Sequence, residues 1–534
     1  MIFVTVILIS GSYIYGWLKQ PSGGLFNGLH GLAPVDYNVY YSYVEQVKAG
    51  QYFFRDLYTN ETQPYSYFNI FWLIVGLLAK FLNLSSILAF HLTRIILAVV
   101  FIFVIWKIII YFIKDQLWQK ISLVFILFSS GVGGYLSPIL EKLLPRSLDF
   151  YQYNPVDVWV PEANTFLILY QTPHFIASLI FMLLIFYFTL RVLAEDKTQF
   201  SIFAGLSALI LFQFHPFYIV TIFGILMCYS LVTILYKLVD IKKTIKHLFI
   251  LGVFSSPSIF YYFWLMKYDW LTQERARQNL TISPNFFAII IGYGFIFFLA
   301  LLGLYFFYKK RSYDNKNIFL TVWFVVQTLL IYLPVNFQRR LLEGYHIVLV
   351  LLSIYGLIWL VDLLKTNYQQ SVAWSWLQNK YFLVTIFFIF FLFSNIFNIT
   401  RDFILFKKQY PFFYVSQADY QSLNWLKKNL NNTDSVLASN LLISNFIPGF
   451  TGKTSYIGHG VETAGFEKKL LTTQVFFNSK SNLWRKPDFF KENNITHLYY
   501  NTSDYPDLLP KLKGVDYLDE VYKNEGVIIF KLKN

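Results

Sequence analysis

The sequence predicts an all-α polytopic membrane bundle followed by a small soluble α/β domain, and three observations carry that expectation. Of 534 residues, 56% are hydrophobic and only 14% charged, where a soluble domain carries about 25% charged residues. Eleven apolar runs approach or reach the length a helix needs to cross a membrane, about 20 residues for a hydrocarbon layer about 30 Å thick. After residue 400 the long apolar runs end, and Asn, Asp, Lys and Thr rise. This composition excludes a purely soluble protein, a disordered chain and a coiled coil. The balance of 44 Lys+Arg against 30 Asp+Glu gives +14. In a soluble chain it would suggest nucleic acid. In a polytopic one it belongs to cytoplasmic loops, so membrane lipids are expected partners and nucleic acid is not. The single cysteine, Cys228, leaves no internal disulfide and no zinc–cysteine cluster.

The expected spans are 1–17, 89–113, 121–137, 174–192, 201–215, 218–236, 247–265, 285–308, 318–335, 345–364 and 381–398. The first lacks the basic start and small-residue cleavage site of a signal peptide and reads as a retained anchor. Orientation follows Lys and Arg. The cation-rich loops 114–120, 191–197, 237–246 and 309–316 belong in the cytoplasm, and the less basic 138–173, 266–284 and everything after 400 belong outside. Residues 65–83 test this scheme, because counting them as a span reverses every later loop. They contain Lys80 within a short, aromatic-rich apolar stretch and read as a helix lying at the outer interface. The domains are therefore 1–398, membrane-embedded with a first outer loop at 18–88, and 400–534, soluble and outside the cytoplasm.

In the tail, residues 417–430 place Tyr420, Leu423, Leu426 and Leu430 at helical spacing, and 435–440, 496–502 and 526–532 read as short strands. Residues 449–454, GFTGKT, lack the spacing of a nucleotide-phosphate loop, since Gly449 and Gly452 are three apart. His459 and Glu462 are candidates for contact with an acceptor.

The first outer loop is the part able to carry chemistry, because polar groups just above apolar helices are where a membrane enzyme works. Asp36 begins a stretch with Tyr40, Tyr43, Val44 and Val47 on one face, stopped near Gly50. This is an amphipathic helix with an acid at its start. Glu61 and Pro64 lead into the second interfacial helix.

This pattern resembles the GT-C superfamily of integral-membrane glycosyltransferases: one span, an outer loop opening with Asp36, Tyr40 four residues on, a helix ending at a small residue, then Glu61 and Pro64 before another surface helix. The late segment 336–352, NFQRRLLEGYHIVLVLL, resembles the family's donor-phosphate region. The arrangement is similar to the bacterial branch that includes lipid A aminoarabinose transferase and the protein mannosyltransferases. It departs where many members carry Asp-Glu, because Asp36 is followed by Tyr37. The resemblance implies inverting transfer of a sugar from a polyprenyl-phosphate donor to an acceptor outside the cytoplasm, in the cell envelope. Asp36 would be the general base.

The chemistry has its own physical case. An acceptor hydroxyl must lose its proton as it attacks the anomeric carbon, and a carboxylate within reach is the natural base. Lipid phosphate leaves readily when cations meet its charge. Arg339 and Arg340 are candidates for that work, since the guanidinium fork binds two phosphate oxygens. An aspartate at a helix start also commonly caps the helix, and outer arginines also anchor headgroups. Glu162 and His174 stand near the outer end of one span and His215 between two others. A charge at mid-bilayer costs about 2.5–3.5 kcal/mol on insertion scales, so such groups face a cavity or a partner. Tyr40, Glu61, Glu162, His174 and His215 are the substrate or metal candidates. Carboxylate and imidazole suit Mg²⁺ or Mn²⁺, with Glu61 and His215 the expected ligands, although no strict metal spacing is present. His91 and Arg94 read as structural ties to the first loop. The segment 267–280, with Asp269, Glu274, Arg275 and Arg277, reads as a solvated loop or one closing over substrate. The alternatives are a transporter or flippase for a lipid-linked or small solute, and a non-catalytic membrane assembly protein. Against the transporter stands the lack of paired half-repeats.

Overall fold

Long apolar stretches must satisfy their own backbone polar groups, which favours helix, and the chain ahead of the tail is mostly helical. The computed structural model describes residues 1–144, 148–195, 197–312, 314–368, 372, 375–376 and 379–533. The stretches between, including 145–147 of the expected outer segment 138–173, lie outside the described residues.

Among the described residues seven helices are long and apolar enough to cross a membrane, or eight if one bent pair counts as a single span. Three of the eleven expected spans form helices shorter than that length. Ile2–Leu18, Thr198–Phe214 and Asn315–Leu330 have 17, 17 and 16 residues, about 24–26 Å of helix, short of the hydrocarbon thickness. The expected span 285–308 is broken into Phe286–Tyr293 and Phe295–Lys309, bent by 89°. The break is at Gly294, whose φ of +51° is one that residues with a side chain rarely adopt. Within 65–83 the helix is Ile70–Phe81, 12 residues or about 18 Å, too short to cross.

The chain forms two compact units, neither continuous in sequence. The first comprises 1–11, 94–262 and 280–402. In it Pro173–Glu195 packs on Thr198–Phe214, and Phe295–Lys309 packs on Tyr345–Tyr368. The second of these pairs is in backbone contact: a Cβ on Gly303 would lie 2.1 Å from the Leu352 carbonyl oxygen, and one on Gly356 2.2 Å from that of Leu299. Small residues permit such close approach between membrane helices. Part of the segment read as an exposed outer loop is buried instead, including Val156, Val158, Val160 and Ala163.

The second unit comprises 12–93, 263–279 and 403–534. It thus gathers the first outer loop, most of the 266–284 segment and the tail, three stretches that loop charge had assigned to one side. Its centre is a five-stranded sheet in the order β4-β3-β5-β7-β6: β3 is Ser435–Ala438, β4 Thr454–Ser455, β5 His497–Asn501, β6 Leu518–Lys523 and β7 Val527–Leu532. The pairs β3/β4 and β3/β5 are parallel, and β5/β7 and β6/β7 antiparallel. Alternating residues feed two separate cores. Val436, Ala438, Tyr499, Val527 and Ile529 join one, while Leu437, Leu498, Tyr500, Ile528 and Phe530 join the other. The helix Asp36–Lys48 is sandwiched between Ile70–Phe81 and Leu441–Thr451. A short antiparallel pair, Leu25 with Val415 and Phe26 with Tyr414, stitches the start of the first loop to the start of the tail.

Candidate functional site

Two groups of polar side chains stand out, one in each unit. In the second unit Asp36 opens the Asp36–Lys48 helix, yet it is not the cap. Val35 holds that place, with no side-chain cap bond. The Asp36 carboxylate instead meets the tail. Its Oδ1 lies 2.9 Å from Nε2 of His459, and the side chain is 45% exposed against 7% for His459. Oδ2 has no hydrogen-bond partner among the described residues. His459 and Glu462, expected to be exposed, are not: His459 is buried and Glu462 is tied to Arg275.

Neighbouring bonds fix this contact. Asn445 donates to the carbonyls of Val35 at 3.2 Å and Gly458 at 3.0 Å, and accepts from Asn38 at 2.7 Å. One side chain thus holds the residue before Asp36 and the residue before His459. Thr463 Oγ1 accepts from the backbone N–H groups of Gly458 and His459 and donates to the Tyr58 carbonyl at 2.9 Å. Burial opposes a charged His459 ring, but the hydrogen bond that the ring donates to Asp36 and the fields of Asp36, Glu462 and Asp56 outweigh it and hold the ring's pKa above its ordinary value.

Beside this pair lies a buried ion network. Arg275 Nη2 is 2.9 Å from Asp56 Oδ2, and Arg275 Nε is 2.6 Å from Glu462 Oε2. Burial pushes the Asp56 carboxyl up, to about 6, against the pull of the Arg275 guanidinium. The segment expected as a loop is the helix Trp270–Gln278, capped by Asp269, whose carboxylate accepts from Leu271 N–H at 3.1 Å. Gln278 donates to the carbonyls of Val461 and Thr463, fastening that helix to the His459 loop. Arg277 and Glu274 form an exposed pair at 2.7 Å.

Glu61 and Tyr40 are engaged elsewhere in the unit. Glu61 is 2.7 Å from Lys469 Nζ and accepts from the Thr59 hydroxyl. Burial pushes the Lys469 ammonium down, opposed by Glu61. Tyr40 stacks on Trp72, ring centroids 4.8 Å apart at 11°. His91 Nε2 meets the Gly28 carbonyl at 2.9 Å, a tie to the first loop. In the first unit Arg94 Nη1 donates to the carbonyls of Ile9 at 2.8 Å and Leu169 at 3.1 Å.

In the first unit the structure brings together Arg339, Arg340, Glu162, His174 and His215. Both arginines sit on the short helical turn Gln338–Leu342. The Arg339 N–H donates to the Thr281 carbonyl at 2.9 Å, and Ser283 N–H to Gln338 Oε1 at 3.1 Å. Gln327 Nε2 pins the far end through the carbonyls of Leu341 and Glu343. Arg340 Nη1 lies 3.8 Å from Glu162 Oε1, with the guanidinium 5.0 Å from the Phe217 ring centre. Arg339 sits over Trp159 at 5.1 Å. The second oxygen of buried Glu162 has no hydrogen-bond partner among the described residues. The His174 and His215 rings are 5.1 Å apart, and His215 packs on Tyr218, whose hydroxyl donates to buried Glu343. Ser178 donates to the other Glu343 oxygen.

The sequence reading missed Asp56, Asn445 and Glu343. Glu343 was legible as an acid three residues past Arg340 at the head of an apolar run. Nothing in the local pattern marks Asp56 or Asn445. The expected cation ligands do not fit the task. Glu61 is held by Lys469 and Thr59, His215 is surrounded by aromatic rings, and no three His, Cys, Asp or Glu side chains converge among the described residues. No chemical step is derived through a metal.

No protein-family model matches the chain, and no curated protein matches it. Solved structures do. The oligosaccharyltransferase of Archaeoglobus fulgidus, tethered with an acceptor peptide containing the NVT sequon, matches with a TM-score of 0.53 at 11% identity, over 100% of this chain and 74% of that one. Its apo form matches with a TM-score of 0.53 at 11% identity, over 94% and 69%. ArnT from Cupriavidus metallidurans, bound to undecaprenyl phosphate, matches at 0.45 and 9% identity, over 98% and 97%. These neighbours are GT-C superfamily membrane glycosyltransferases, and the chain shares the fold of the oligosaccharyltransferase, as the first-loop pattern led one to expect.

Proposed function

We propose that the chain is a membrane glycosyltransferase that moves a sugar from a polyprenyl-phosphate donor to a hydroxyl acceptor outside the cytoplasm, with inversion. The observation that carries this reading is the Asp36 carboxylate: one oxygen is held by His459, and the other is open to solvent. A fold shared with an oligosaccharyltransferase supports it. The acceptor oxygen attacks the anomeric carbon as its proton passes to Asp36 Oδ2. The bond from that carbon to the phosphate oxygen breaks, and its electron pair stays on the phosphate. Attack opposite the leaving group inverts the anomeric centre. Arg339 and Arg340 take the growing phosphate charge, which two planar forks are suited to bind. The polyprenyl tail is accommodated by membrane lipid. The second unit, with Asp36 and the tail, lies outside the cytoplasm in this reading, which the cation-rich loops support.

The test is transfer from a radiolabelled polyprenyl-phosphate sugar by purified protein in proteoliposomes, with an envelope extract as the acceptor source. The account expects labelled product of inverted configuration. Release of retained product, or solute uptake without transfer, contradicts it. A reporter fused after Asn534 that is active only in the cytoplasm contradicts the orientation.

A further inference from the structure

We propose that His459, supplied by the tail, is a positioning residue for the Asp36 base, so that the base is assembled from two parts of the chain 423 residues apart. The inference rests on Asp36 being the base. Its geometry starts with the ring. Nδ1 of His459 accepts from the backbone N–H groups of Val461 and Glu462, each at 3.2 Å. A nitrogen that accepts carries no proton, so the ring hydrogen sits on Nε2 and points at Asp36 Oδ1. The carboxylate is held by one oxygen, and Oδ2 is left turned to the acceptor. The tautomer is thus set by a backbone turn rather than by chance. That turn is tied to the start of the Asp36–Lys48 helix by Asn445, which grips the chain on both sides of the contact.

The other groups facing the pair are Glu462 and Asp56, both bound to Arg275, and Tyr58. The Tyr58 ring lies 5.8 Å from the His459 ring, and its hydroxyl donates to the Asn445 carbonyl at 3.0 Å. The two acids share one guanidinium, and Tyr58 is committed to the Asn445 backbone. His459 alone among these side chains donates to Asp36.

Replacing His459 with Leu removes that donor. A misaligned base costs about 10- to 100-fold in rate. We expect kcat to fall by that factor with KM for the donor unchanged. His459→Gln keeps an N–H donor and should recover most of the rate. Parent-like kcat in His459→Leu overturns the proposal, as does failure of His459→Gln to exceed His459→Leu. Asp36→Asn, run alongside, separates the two levels: if it keeps full transfer, the base assignment itself is wrong. A readout without catalysis is the ¹⁵N spectrum of the His459 ring in nanodiscs, assigned by difference with His459→Gln. We expect a protonated Nε2, a bare Nδ1, and an Nε2 signal that moves in Asp36→Asn. A proton on Nδ1, or an Nε2 signal indifferent to Asp36, overturns the proposal.

Discussion

The two polar groups differ in how they treat water. In the second unit Asp36 keeps an exposed face and one unoccupied oxygen, and two further acids, buried Asp56 and half-buried Glu462, share Arg275. In the first unit Glu162 and Glu343 are buried, the first beside Arg340 and the second satisfied by neutral hydroxyls. A group that must take up and release a proton needs a route to solvent and a fixed orientation. A group that must meet a phosphate needs fixed positive charge in surroundings that do not screen it. Under the proposed function, proton work falls to the first-loop acid and charge work to the late arginines.

The largest effect on stability should come from the second unit. Arg275→Ala leaves Asp56 buried beside Glu462 without a cation, and a broken buried pair costs about 3–5 kcal/mol. Thermal unfolding in detergent should show a large drop in Tm, with Arg275→Lys falling between, since it keeps the charge but loses the fork. A Tm near the parent's in Arg275→Ala would mean the network is solvated and the contrast is false. A smaller loss is expected for Arg340→Ala, about 2 kcal/mol, below the full cost because the pair is separated by 3.8 Å. Adding Glu162→Gln should restore the melting temperature without restoring donor affinity. Recovery of both would make Arg340 a structural partner only.

The smallest effect is a pH dependence. The His459 pKa is raised in the folded chain, so the folded state binds the proton more tightly than the unfolded one. The added stabilisation of the charged ring is complete below the unfolded value of about 6.5 and is lost as pH rises through the higher folded value, while the neutral ring keeps its Nε2–H on Asp36. Melting curves should decline across that window in the parent and flatten in His459→Gln. An equal decline in both would locate the titration elsewhere.

The sequence made some of this legible and hid the rest for physical reasons. The tail strands showed themselves because alternate residues feed two opposed cores, as at Leu498, Tyr499 and Tyr500. Asp36 was visible because an acid opened an amphipathic stretch beneath a polar loop. Hydropathy does not register a backbone turn such as Gly294, nor where a helix stops, as at 16 or 17 residues. His459 looked like an exposed residue in a Gly- and Thr-rich loop. Its partner is 423 positions away, and no local spacing encodes such a contact. The same holds for Arg275 with Asp56, joined across 219 positions.

The central claim is that the open oxygen of Asp36 receives the acceptor's proton, and single-turnover transfer by Asp36→Asn in proteoliposomes tests it most directly. The substitution keeps shape and removes basicity. A slowing by about 10²–10⁴, at unchanged donor binding and unchanged Tm, is the predicted result. Turnover at the parent rate would contradict the account.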